Sequence, residues 1–151
     1  MPFEIIREDG AWPDDDVLSA LAQRAMSAIA DHLRTDQEVT YVFSSDNAIR
    51  ALNRHWRDKD KPTNVLSFPD GDVSPDGIVH LGDVLLAVET ITREALDEGK
   101  TFDNHLIHLM IHGTLHLLGH DHMTDTEAAA MESIEIAALA KIGIGNPYQD
   151  A

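Results

Sequence analysis

The sequence predicts an α+β fold. Three observations predict it. Short segments rich in β-branched and aromatic residues, notably 38–43 and 78–88, read as strands. Longer segments carry apolar residues at helical spacing, as at 17, 18, 21, 25, 28, 29 and 33. The two kinds mix without the regular strand–helix–strand rhythm of a doubly wound parallel sheet. The 151 residues suit one domain spanning 1–151, which buries roughly two-thirds of its unfolded surface without disulfide help.

Taken in order, residues 3–7 read as a first strand closed by the turn-like Asp9-Gly10. Pro13 and the acids Asp14, Asp15 and Asp16 open a helix to about 33, because proline and carboxylates suit a first turn with free N–H groups. Residues 38–43 form a second strand, and Ser44 or Ser45 caps a helix over 47–56. Pro62 keeps 59–63 out of a helix. Residues 65–68 form a strand that ends at Pro69, and 70–77 is a polar loop. Residues 78–88 form another strand, broken near Gly82, and a helix follows over 89–98. Asp103 caps a helix that ends at Gly119. Thr124-x-x-Glu127 is a capping box for a last helix reaching about 142.

Composition excludes several classes. The absence of cysteine rules out disulfide frameworks, thiolate zinc sites, iron–sulfur clusters and cysteine nucleophiles. The opening MPFEIIREDG has no apolar core of a secretory signal, and apolar runs such as 84–88 are too short to span a membrane. A cytoplasmic protein is expected. Twenty-seven acidic residues against 11 basic give a net charge of −16, which argues against a general nucleic-acid binder. The acidic runs Asp14-Asp15-Asp16 and Glu127, Glu132 and Glu135 read as solvated faces.

The nine histidines are uneven, with six of them at 105, 108, 112, 116, 120 and 122. On a helix, His112 and His116 stand one turn apart on one face, so both imidazoles reach one metal ion. Gly119 lets the chain leave the helix through a left-handed residue and fold back. The spacing H-x-x-x-H-x-x-G-x-x-H is that of the metzincin zinc site, with His122 as third ligand. Three imidazoles with an open fourth position make a catalytic rather than a structural arrangement. Residues 106, 107, 109–111, 115, 117 and 118 are all Leu, Ile or Met, so this helix is buried nearly all round, where unpartnered imidazoles are costly. Zinc is the default ion, though nickel, copper or iron suit the same donors. His120 is the rival third ligand and otherwise a pocket wall or proton donor. His105 and His108 read as partnered core or rim histidines. Asp121 either orients a ligand imidazole or caps the turn.

The residue after the first ligand decides the chemistry. A metalloprotease carries glutamate there as general base, and this chain carries Gly113. Proteolysis is thereby demoted. A second unusual stretch gathers Arg50, Arg54, Arg57, Lys59 and Lys61 beside Trp56, in an otherwise acidic protein. An aromatic there can stack a base while Arg57 grips a phosphate.

These motifs resemble the YbeY endoribonucleases, the metal-dependent rRNA maturation factors of bacteria. The likeness rests on the run from Asn53 through Trp56, Arg57 and Lys61-Pro62-Thr63-Asn64 to Pro69, on Leu81-Gly82-Asp83-Val84, on His112 to His122, and on Asn146-Pro147-Tyr148. The resemblance implies that His112, His116 and His122 bind Zn2+, one ion per chain, and that Arg57 is the functional arginine. It also implies a small mixed β-sheet packed with helices, with the metal site at the mouth of a cleft. The activity implied is single-strand-specific endoribonuclease cleavage in small-subunit rRNA 3′-end maturation and ribosome quality control. The implied partners are single-stranded rRNA and the small ribosomal subunit or its proteins, with neither membrane nor DNA. The base stays open among a metal-activated water, His120 and a ribose 2′-hydroxyl. The rival readings are a metallohydrolase of peptides or small esters, and a ribosome-assembly binding factor with a structural zinc.

Overall fold

A computed structural model describes residues 3–57 and 63–148, the side chains of Trp56 and Arg57 excepted. The elements are β1 (Phe3–Arg7), α1 (Asp15–Ala28), β2 (Gln37–Ser44), α2 (Asp46–Arg57), β3 (Val65–Val73), β4 (Val79–Ala87), α3 (Val88–Glu98), α4 (Phe102–Leu117) and α5 (Asp125–Lys141). The class is α+β, as the mixed pattern predicts.

The strands lie in the order β1-β2-β4-β3, with β1, β2 and β4 parallel and β3 antiparallel at one edge. The two central strands are apolar on both faces, as interior parallel strands require. Val39, Tyr41, Phe43, Val84 and Leu86 join the core beneath α1 and α4. Val42, Leu85 and Ala87 face the other way, against Ile49 of α2 and Leu66 of β3.

Four expectations need correction. Strand β3 does not end at Pro69 but runs on to Val73. It is an edge strand with a register shift between Pro69 and Asp72, where a missing N–H is tolerated. Gly82 does not end β4, which runs on to Ala87, but the strand is irregular there: the register against β2 passes from Glu38↔His80 to Thr40↔Asp83, so the extra residue falls at Leu81–Gly82. Helix α1 stops at Ala28 rather than near 33. No glycine or proline marks that exit: the fully buried Ile29 leaves helical backbone, and one 3-10 turn (Ala30–His32) follows. The cap of α4 is Thr101, whose hydroxyl accepts from the Asn104 N–H at 3.1 Å, so Asp103 falls in the first turn. The other two caps form as predicted, with Ser45 Oγ accepting from Ala48 N at 3.2 Å and Thr124 Oγ1 from Glu127 N at 3.1 Å.

Helix α4 is the element that places the site. It is buried along nearly its whole length and packs against α1, α3, α5, β3 and β4. Three contacts fix it on the sheet. The Tyr41 hydroxyl meets Thr114 Oγ1 at 2.8 Å, and Ser67 Oγ donates to the Gly113 carbonyl at 3.0 Å. At Gly113 the helix lies so close that a Cβ would stand 2.6 Å from Val84 Cγ1. Gly113→Ala should therefore overpack this contact and cost about 1–3 kcal/mol, read as a lowered urea midpoint with unchanged slope.

Candidate metal centre

His112 and His116 project from the last turns of α4, one helical turn apart. The helix then ends in a Schellman motif: Gly119 N–H donates to the His116 carbonyl and His120 N–H to that of Leu115, each at 3.0 Å, with Gly119 at φ +100°. That left-handed residue reverses the chain and returns His122 to the first two imidazoles. The ring centroids stand 4.6 Å (112–116), 5.0 Å (116–122) and 5.8 Å (112–122) apart. One nitrogen from each ring lies within 4.8 Å of the other two.

The donor set fits a divalent metal. His112 Nε2 and His116 Nε2 are 3.1 Å apart. Nitrogens bound to one tetrahedral zinc at ~2.0–2.1 Å stand about 3.3 Å from each other. Ligation needs neutral rings, and burial, followed by the neighbouring His112 and His122, holds the His116 pKa below its ordinary value. The triad borders a cavity of about 550 Å³ whose opposite wall is the edge strand, with Asn64, Val65 and Ser67.

Behind the triad lies a carboxylate. Glu135 is fully buried in α5, and its Oε2 is 3.1 Å from His112 Nδ1. Its Oε1 receives the Tyr148 hydroxyl at 2.7 Å and His108 Nε2 at 2.5 Å. Burial raises the carboxyl pKa, but the hydrogen bonds from His108, His112 and Tyr148 outweigh it and hold the value at about 2. The same carboxylate, after burial, pushes the Tyr148 phenol upward.

A family model described as Endoribonuclease YbeY matches residues 6–143. The chain belongs to the YbeY family. Endoribonuclease YbeY of Chelativorans sp. (strain BNC1) is 50% identical over 145 residues, covering 92% of this chain and 88% of the relative. Its counterpart in Azorhizobium caulinodans is 47% identical over 154 residues, covering 98% and 96%. The solution structure of TM1509 from Thermotoga maritima superposes with a TM-score of 0.59 at 23% identity, covering 93% of this chain and 91% of that one, a likeness of fold.

Within this YbeY-family fold, the structure brings together His112, His116 and His122, the three residues the spacing singles out. His120 lies outside that group; its N–H closes the helix turn. Asp121 Oδ1 accepts from His122 N at 2.7 Å, and the residue lines the cavity beside the triad. His105 and His108 are buried and partnered, His105 Nε2 with Glu94 Oε1 at 2.9 Å. The side chain of Arg57, with Lys59 and Lys61, lies outside the described residues.

Glu135 requires a correction, because it is no part of a solvated face. Its spacing carried the signal: Met131, Ala138 and Leu139 form the buried stripe of α5, and position 135 falls inside it. Two other triplets also bring donors within 4.8 Å, Asp70–His80–Asp83 and Glu94–Glu98–His105. Both are paired within the protein, His80 with Asp70 at 2.6 Å and Glu98 with Lys100 at 2.7 Å.

The depressed Glu135 pKa sets a pH dependence. A folded value of about 2 below the ordinary 4.5 means that the ionised carboxylate stabilises the fold fully above pH 4.5. That contribution is lost as pH falls toward 2. In metal-free protein, the stability difference between wild type and Glu135→Gln should shrink steadily across that window, as read by urea unfolding at each pH.

Proposed function

We propose that this chain is a zinc-dependent endoribonuclease that cleaves single-stranded RNA, acting in small-subunit rRNA 3′-end maturation and ribosome quality control. Membership of the YbeY family, whose relatives are named endoribonucleases, supports RNA as substrate. The observation that carries the reading is the triad itself: three imidazole nitrogens converge beside a cavity, with a side open to a substrate.

His112, His116 and His122 would hold the ion. Zinc bound there supplies a Lewis acid for a phosphoryl oxygen and lowers the pKa of a water toward ~7. The chain's own residues do the rest. Edge strand β3 walls the cavity, and Asn64 Nδ2 is already turned to Glu94 Oε1 at 3.0 Å, which sets the end of that wall. Helix α2 ends at Arg57, and the chain is next described at Thr63, on the rim of the cavity. We assign the Arg57 guanidinium to the charge that develops on the phosphoryl oxygens. His120, whose N–H closes the helix turn, is assigned to carry a proton.

Position 113 favours phosphodiester over peptide cleavage. Its Cβ direction points at Val84 in the sheet, so the glutamate that serves metalloproteases has no room there. No helix among the described residues is long and apolar enough to cross a membrane. A cytoplasmic location at the small ribosomal subunit follows from the proposed substrate.

His116→Ala should lose bound zinc on elemental analysis while keeping its helical circular dichroism. Unchanged metal content would remove His116 from the centre, and an unfolded variant would favour a structural metal. Arg57→Ala should keep its zinc and lose about 10²–10³-fold in cleavage of a single-stranded rRNA fragment. A panel of RNA, casein and small esters should give turnover with RNA alone. With a net charge of −16, affinity for naked RNA should be weak and fall further between 50 and 200 mM salt in a filter-binding titration.

A further inference from the structure

We propose that Glu135 is a positioning residue for His112, and that Tyr148 and His108 hold it in place. This rests on the reading of the triad as a metal centre. An ionised carboxylate is an acceptor only, so the 3.1 Å contact of Glu135 Oε2 with His112 Nδ1 puts the imidazole proton on Nδ1. The lone pair is then on Nε2, the nitrogen that faces His116. A His112 with the opposite tautomer would present a proton to the metal and could not ligate.

Glu135 would not hold that orientation by itself. A carboxylate on a buried helix stripe needs its remaining oxygen satisfied, and Oε1 receives both the Tyr148 hydroxyl at 2.7 Å and His108 Nε2 at 2.5 Å. Three donors on two elements therefore fix one carboxylate: His108 and His112 from α4, and Tyr148 from the segment after α5, all converging on α5. Tyr148 is itself fixed. Its N–H donates to Asn146 Oδ1 at 2.8 Å, and the preceding Pro147 carbonyl accepts from Lys100 Nζ at 3.1 Å. The Asn146-Pro147-Tyr148 segment thus reaches the metal centre from behind, through one carboxylate. Outer partners of this kind orient the ligand and raise its basicity.

The test compares wild type, Glu135→Gln and Tyr148→Phe after chelator treatment. Two quantities are read: the Kd for zinc by competition with a chromophoric chelator, and the His112 tautomer in metal-free protein by long-range proton–nitrogen NMR at pH 8. Wild type should show the Nδ1-protonated form. Glu135→Gln should weaken zinc about 10–100-fold and populate the other tautomer. Tyr148→Phe, at a half-exposed position, should weaken zinc several-fold while the metal-free protein keeps its helical circular dichroism. A core ion pair of purely structural importance would lower melting temperature without moving the tautomer. Zinc Kd values within twofold of wild type in both variants, or a wild-type His112 protonated at Nε2, would overturn the proposal. Wild type that keeps the Nδ1 tautomer but takes up no zinc would overturn the metal reading and support the clamp.

Discussion

Four imidazoles along a helix that is buried nearly all round impose the constraint from which the site follows. A buried imidazole without a partner is costly, and each of His105, His108, His112 and His116 on α4 has a partner at one ring nitrogen at least, while the Nδ1 atoms of His105 and His108 have none among the described residues. Helix α3 supplies Glu94 to His105, and α5 supplies Glu135 to His108 and His112. Beyond Glu135 the row reaches the cavity, where the remaining nitrogens of His112 and His116 meet each other and His122. The row thus changes character along one helix, from rings bound to a carboxylate through one nitrogen to rings whose nitrogens converge on a shared point.

Close packing makes that row possible. Gly113 lets α4 approach Val84, and Ser67 and Thr114 tie the helix to β3 and to Tyr41 on β2. The result places the ligand face of α4 opposite an edge strand. The same glycine removes the carboxylate on which a protease of this spacing depends. A single residue therefore serves both packing and the choice of reaction, the first through contact distance and the second through the group it lacks.

Much of this was legible in the residues. The spacing of His112, His116, Gly119 and His122 predicted the helix, the left-handed exit and the returning third imidazole, because each is a local rule of helix geometry. Caps at Ser45 and Thr124 were legible for the same reason. What local rules miss is set by distant packing. Pro69 reads as a strand end until the strand proves to be an edge, and Ile29 ends α1 without any breaker because its burial is decided elsewhere. Glu135 reads as solvent-facing by its type, whereas its place in the 131–139 apolar stripe buries it. Tyr148 stood out in the sequence as a motif, yet its target was invisible, since it lies in another helix. The net charge of −16 argues against indiscriminate nucleic-acid binding and leaves a local site free to act on RNA.

If the three histidines hold a hydrolytic metal, zinc must control cleavage. The most direct test is a zinc titration of chelator-treated protein, with cleavage of a single-stranded rRNA fragment as the readout. The account predicts no cleavage in chelator and activity that rises to a plateau at one equivalent of zinc per chain. Cleavage that proceeds at the same rate in chelator, or a plateau with no zinc bound, would contradict it.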